Sequence, residues 1–271
     1  MMKIQTIEEL HDRLYEVLCT VDDICKKENV RYFLDSGTEL GSVREKDFIP
    51  WDDDMDLKVM AEDYPAFKAA MKEKLPPYMH LIEPDIFAPH FYDFTIRIYD
   101  ERYTLRNPSP EDEFYGNYQN YLGTDVFLFF KAPDGKLAQS MLKLKTKILY
   151  GMGMAHRYPE KKKDYPLMQK LQIAALTFMG KFVSVDFVLS RWWKIMLRRG
   201  GTNETNSRFP GNYLLRELQF FPEEWYKTTS YGMIRGRKFP IPGNYDGEMT
   251  AIYGDYHKPP KDKSIYVTHL E

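Results

Sequence analysis

Cysteine is almost missing from this chain, and that absence removes two chemistries at the outset. Only Cys19 and Cys25 occur among 271 residues. They lie six positions apart in one predicted helix, where they do not share a face well. Neither a disulfide framework nor a thiolate zinc site is expected. Charge of one sign is missing too: 38 Lys and Arg against 40 Asp and Glu leave a formal −2. No nucleic-acid partner is expected from that balance. The start, Met1-Met2-Lys3-Ile4-Gln5-Thr6, lacks the apolar core and small-residue cleavage site of a signal peptide, so a cytoplasmic protein is expected. Internal repeats and low-complexity tracts are absent.

Apolar residues make up 43% of the chain, enough for a sizeable core. From Ile7 to Lys27, Leu10, Leu14, Val17, Leu18, Val21 and Ile24 recur at helical spacing. A short strand over 31–35 then runs into Ser36-Gly37-Thr38, where Ser36 or Thr38 would cap a helix reaching Arg44. The unpaired N–H groups at such a helix start suit a phosphate. Ala61 to Lys74 reads as a helix closed by Pro76-Pro77, and 92–99 and 124–130 read as strands, the latter with Asp125 at its start. From Lys136 the pattern turns helical. Leu171, Ala175, Phe178, Phe182, Val185, Leu189, Trp192 and Met196 form a 4-3-4-3 run with Lys161–Lys163 before it and Arg198-Arg199 after it. Lys181, Asp186, Arg191 and Lys194 interrupt that run too often for a membrane span. Two readings stay open for it: a core helix, or an interfacial helix whose basic flanks meet anionic headgroups on the inner membrane face. Residues 200–207 read as a loop, Met233–Ile241 as a strand, and 245–253 as a short helix before a turn-rich tail.

The most informative segment is Asp52-Asp53-Asp54-Met55-Asp56, followed by the strand-like Leu57-Lys58-Val59-Met60. An acidic run is ordinarily a solvated turn. Here Phe48, Ile49, Pro50 and Trp51 precede it and apolar residues follow, so the acids interrupt a stretch that wants burial. On a strand Asp52, Asp54 and Asp56 would share one face, about 7 Å apart per two residues. Carboxylates so placed call for a cation, and Mg²⁺ or Mn²⁺ bridging substrate phosphates is the natural one.

A strand, a glycine, a helix, and then a strand carrying Asp-x-Asp is the layout of the nucleotidyltransferase superfamily. Within it, Leu34-Asp35-Ser36-Gly37-Thr38-Glu39-Leu40-Gly41-Ser42-Val43-Arg44 followed by Phe48-Ile49-Pro50-Trp51-Asp52-Asp53-Asp54-Met55-Asp56 closely resembles the LicD family of phosphocholine transferases and fukutin-type enzymes. Thr124-Asp125-Val126-Phe127, Ile241-Pro242, Tyr253-Gly254-Asp255-Tyr256 and Pro259-Pro260 resemble further family segments. Glu45 and Asp47 stand where the family usually shows His and Gly, Ser42 replaces a common Ala, and Glu39 sits at an often apolar position.

The resemblance implies an α+β fold, with a nucleotidyltransferase-like mixed sheet flanked by helices. Residues 1–135 would form the catalytic core, 136–230 a mainly helical segment, and 231–271 a C-terminal strand, short helix and tail. It also implies transfer of a substituted phosphate from a CDP-alcohol donor, phosphocholine above all, to a hydroxyl of a glycan or its lipid-linked precursor, with release of CMP. Asp54 and Asp56 would hold the metal. Asp125 would complete that site or accept the proton of the attacking hydroxyl, Asp52 would support them, and Asp53 would face away. Ser36, Gly37, Thr38, Arg44 and Arg97 would bind phosphate, although a salt bridge to one of the Asp residues is an equal role for either arginine. Tyr115, Tyr118 and Tyr121 have the chemistry of a cage for a quaternary ammonium, against the alternative of plain packing. Two other functions use the same features: nucleotide transfer from an NTP to a small acceptor, and nucleotide binding without turnover.

Overall fold

A computed structural model describes residues 2–87, 90–133, 135–158, 166–197, 205–208 and 218–259. The first part of the chain runs β1 (Met2–Lys3), α1 (Ile7–Lys27), β2 (Phe33–Leu34), α2 (Ser36–Arg44), β3 (Asp56–Met60), α3 (Tyr64–Lys74), β4 (Met79–Ile82), β5 (Ile96–Thr104), α4 (Pro110–Phe114) and β6 (Tyr121–Lys131). There follow α5 (Lys136–Gly153), α6 (Leu167–Gly180), α7 (Val185–Met196), β7 (Thr205–Arg208), β8 (Phe220–Pro222), β9 (Thr229–Ile234), β10 (Arg237–Pro242) and α8 (Tyr245–Tyr253). The architecture is α+β. Eight strands form one mixed sheet in the order β1-β5-β6-β3-β2, with β4 on β5, β7 on the far end of β6, and β8 beyond it. β3 runs parallel to β6 and β1 to β5, whereas the β2–β3, β4–β5, β5–β6 and β6–β7 pairs are antiparallel.

The two faces of β6 divide the labour. Leu122, Val126, Leu128 and Phe130 alternate onto one face and join the main core with Leu14, Val17 and Leu18 of α1, Phe67 and Met71 of α3, and Val188 and Trp192 of α7. Tyr121, Asp125, Phe127 and Phe129 point to the other face. There Phe129 packs with Phe33, Met60, Phe221 and Tyr226 in a second cluster. The same alternation sends Leu57 and Val59 of β3 into the main core and Asp56, Lys58 and Met60 to the second face.

Several elements depart from the sequence expectation. The strand expected over 92–99 begins at Ile96 and continues to Thr104, because β6 pairs with it that far. The run 171–196 is two helices, α6 and α7, meeting at 108°. Met233–Ile241 belongs to a hairpin in which Ile234 pairs with Arg237 across Arg235-Gly236. Positive φ values of 52° and 78° at those two residues give the two-residue turn that matches strand twist. In the stretch 200–207, residues from Thr205 form β7 rather than loop, and 200–204 lie outside the described residues, as do Lys161–Lys163, Arg198, Arg199 and Pro260.

The C-terminal hairpin is fastened to α1. Arg237 pairs with Asp22 and Asp23, and Asp22, wholly buried, is further held by Lys26 at 2.7 Å and by the Tyr32 hydroxyl at 2.9 Å. Arg235 reaches Asp12 at 2.7 Å and Asp47 at 3.4 Å.

Candidate active site

Regular strand pairing reaches only the last of the acidic residues. Residues 52–55 precede β3 as extended chain, yet the alternation survives: Asp53 and Met55 are buried, Asp52 and Asp56 are half-buried, and Asp54 is exposed. Hydrogen bonds fix this segment from both sides. The Met55 carbonyl accepts from the Asp125 amide at 3.0 Å and the Thr124 hydroxyl at 2.9 Å, and the Asp35 amide donates to the Asp56 carbonyl at 3.0 Å. The Asp56 amide donates to the Thr38 hydroxyl oxygen at 3.0 Å.

That last bond corrects the expected cap. Thr38 is committed to Asp56, and Asp35, not Ser36 or Thr38, occupies the N-cap position of α2 without a side-chain capping bond. Ser36 begins the helix at φ 50°, a left-handed conformation that non-glycine residues keep only when their surroundings hold them there. Gly37 follows under the Asp52 side chain: a Cβ at Gly37 would lie 2.1 Å from Asp52 Oδ2. Gly41, one turn on, is equally required, since its Cβ would come within 2.6 Å of the Asp47 carbonyl. His11 of α1, which no motif in the sequence singles out, donates from Nε2 to the Asp52 carbonyl at 2.7 Å and stacks on Phe48.

Asp56 and Asp125 are direct partners across the parallel β3–β6 pair, and Asp125 is in register with Arg97 on β5. Three strands thus set Arg97, Asp125 and Asp56 in one row on the second face of the sheet. Arg97 donates to Asp125 Oδ1 at 2.7 Å and to the Tyr121 carbonyl at 3.0 Å. Its salt bridge is therefore realised. Arg44 is similarly engaged, with Glu45 at 2.6 Å and the Tyr256 carbonyl at 3.2 Å.

Beside this row lies an aromatic cluster. Tyr99 stacks on Tyr121 with centroids 5.1 Å apart, and Tyr118 sits 5.7 Å from Tyr99 and 6.0 Å from Phe87. Tyr115 is buried, and its hydroxyl donates to the Phe91 carbonyl while accepting from the Tyr158 amide. Tyr118 and Tyr121 remain half-buried.

Among the described residues, three carboxylates gather within 4.8 Å of one another at a different place: Asp35, Glu39 and Glu248. Asp54, Asp56 and Asp125 do not form such a set of three. The cation of the buried set is the protein's own. Lys58 Nζ lies 2.6 Å from Glu248, 3.2 Å from Glu39 and 3.3 Å from Asp35, with no solvent exposure. Burial alone would depress the Lys58 ammonium, but the surrounding carboxylates outweigh it and hold the group charged. Burial pushes Glu39 and Glu248 above the usual carboxylate range although Lys58 opposes it. The Tyr226 hydroxyl donates to Glu248 at 3.0 Å. A readable signal for this cluster was a lysine inside an otherwise apolar strand and a glutamate at an often apolar helix position. Nothing local announced Glu248.

Residues 29–106 match the family model for the LicD/FKTN/FKRP nucleotidyltransferase domain. Over 286 aligned positions, 100% of this chain and 98% of the relative, the chain is 21% identical to the lipopolysaccharide cholinephosphotransferase LicD of Haemophilus influenzae. It is also 42% identical over 50 residues to uncharacterised proteins of Rickettsia prowazekii and Rickettsia typhi, 18% of this chain and 19% and 16% of theirs. The domain match over residues 29–106 and the end-to-end likeness to a LicD protein both support the resemblance to the LicD family carried by the α2–β3 block.

Proposed function

We propose that this chain is a metal-dependent phosphotransferase of the cytosol. It would move a substituted phosphate, phosphocholine by preference, from a CDP-alcohol to a hydroxyl of a cell-surface glycan or its lipid-linked precursor. The observation that carries the reading is the in-register pair Asp56 and Asp125, with exposed Asp54 two residues away and the Asp52-covered Gly37 turn held alongside by Thr38. A two-carboxylate platform fits Mg²⁺ or Mn²⁺, because such ions take one or two protein carboxylates and complete their shell with phosphate oxygens and water. The buried Asp35, Glu39 and Glu248 set does not fit, since an ammonium already fills it.

When bound, the metal supplies charge neutralisation at the donor phosphates. Asp54 and Asp56 would hold it. The acceptor hydroxyl forms the new P–O bond at the phosphorus bearing the alcohol, the bond to the bridging oxygen breaks, and CMP leaves with that oxygen. Asp125 is placed to take the hydroxyl proton, with Arg97 holding its carboxylate by one oxygen. Half-buried Tyr118 and Tyr121 offer π faces to a quaternary ammonium on the donor. The name of the Haemophilus relative supports choline as the first alcohol to test.

The test is a thermal-shift screen of CDP-choline, CDP-ethanolamine, CDP-polyols and ATP, each with Mg²⁺, followed by measurement of CMP release. A ligand at a hundred times its Kd stabilises the native state by about 2.7 kcal/mol. Stabilisation by a CDP-alcohol and loss of CMP release in Asp56→Asn are expected. Stabilisation by ATP alone, or full activity in Asp56→Asn, refutes the reading.

A further inference from the structure

We infer that the α6–α7 elbow is a membrane-docking surface that lies in the interface of an anionic bilayer. α6 has only Gly180 buried along its 14 residues, and its one charge is Lys170. Leu167, Met168, Leu171 and Met179 are exposed along it, and at the elbow Phe178 and Phe182 are 62% and 77% exposed, with ring centroids 5.2 Å apart. Isolated exposed apolar residues are ordinary, but a contiguous apolar helix is not.

The helix is nevertheless seated in a fixed position. A Cβ on Gly180 would come within 2.3 Å of the Met152 carbonyl, so α6 crosses the end of α5 at close range. α7 turns away at 108° and buries Val188, Leu189, Trp192 and Met196 in the main core, and Trp193 donates to Asp85 at 2.9 Å. Among the described residues, no single helix is long and apolar enough to cross a membrane. The α6–α7 pair has the length and composition to do so, but α7 is held in the protein core. In-plane insertion of α6 and the elbow is the arrangement left.

Charge names the occupant. Across the described stretches 135–158 and 166–197 stand nine Lys or Arg and one acid, Asp186, whereas the whole chain carries −2. An apolar face inside a cationic segment of a near-neutral protein is complementary to anionic headgroups over acyl chains. This surface is independent of the proposed reaction.

The test is co-sedimentation of the full chain with vesicles of phosphatidylglycerol and phosphatidylethanolamine, and with vesicles of phosphatidylcholine alone. Binding to the anionic vesicles only, weakened by salt, is expected. Phe178→Ser with Phe182→Ser should lower partitioning by about ten-fold or more. Lys170→Gln with Lys181→Gln should lower it by roughly twenty-five-fold, at about five-fold per charge. Both pairs are at exposed positions, and circular dichroism checks that they fold. Failure of the wild type to sediment with anionic vesicles, unchanged partitioning in both variants, or a dimer that buries Phe178 and Phe182 would overturn the inference.

Discussion

Lys58→Met removes the one positive charge from a buried site that keeps three negative ones. At an effective dielectric near 20, charges 2.6–3.3 Å apart attract by about 5–6 kcal/mol each, and carboxylates within 4.8 Å repel by about 3 kcal/mol or more per pair. Without the ammonium the folded state must neutralise carboxylates by binding protons. Keeping one carboxyl of ordinary pKa 4.5 protonated at pH 7 costs about 3.4 kcal/mol. The expected destabilisation at pH 7 is therefore about 3–5 kcal/mol, the usual penalty for breaking a buried ion pair from one side.

The pH dependence carries the sign. In the variant the folded-state carboxyl pKa values lie above their unfolded values, so the native state binds protons that the unfolded chain does not. Stability of the variant then rises as pH falls through the window from those raised values down to about 4.5, and at pH 5 the cost per proton shrinks to about 1 kcal/mol. Glu39→Gln, which removes one of three like charges and keeps the shape, should cost within about 1 kcal/mol at pH 7. Urea unfolding followed by circular dichroism at pH 5, 6 and 7 measures all three quantities. A Lys58→Met cost below about 1 kcal/mol at pH 7, or one that is equal at pH 5 and pH 7, refutes the reasoning.

Three further outcomes follow from the same geometry. Asp125→Asn should lower CMP release at least about 100-fold, the scale of a lost general base, with the thermal midpoint little changed because its partner Arg97 keeps the Tyr121 carbonyl; a rate within ten-fold of wild type rejects a role for Asp125 in the reaction. Gly37→Ala should displace the Asp52 carboxylate and weaken donor binding in the thermal-shift assay; unaltered binding means that Asp52 and the turn beneath it do not shape the site. Arg237→Ala should cost about 1–3 kcal/mol, the value of hydrogen bonds to a charged group, since Asp22 retains Lys26 and Tyr32; a neutral result in urea unfolding shows that the hairpin is held by packing alone.

What the sequence made legible was set by how local the cause is. α1 and α8 appear at the expected bounds because spacing and caps are local properties: Thr6 accepts from the Glu9 amide at one start and Asn244 from the Gly247 amide at the other. The outward alternation of Asp52, Asp54 and Asp56 was legible for the same reason, even though strand pairing begins only at Asp56. The break between α6 and α7 was not, because apolar residues continue through it with nearly helical spacing, and the bend is marked by Gly180 at a close crossing and by Ser184, which caps α7 by accepting from the Phe187 amide. The role of Arg97 depended on register, which places it opposite Asp125 and can be read only once β5 and β6 are paired. Farthest from reach was Glu248, which meets Lys58 across 190 positions of chain. That contact changes the meaning of the acidic residues as a group. Two sets of carboxylates share the second face of the sheet, three residues of one already balanced by an internal ammonium and the other left open toward solvent at Asp54. The metal and the phosphates of the proposed reaction are therefore assigned to the open set, since Lys58 already fills the buried one.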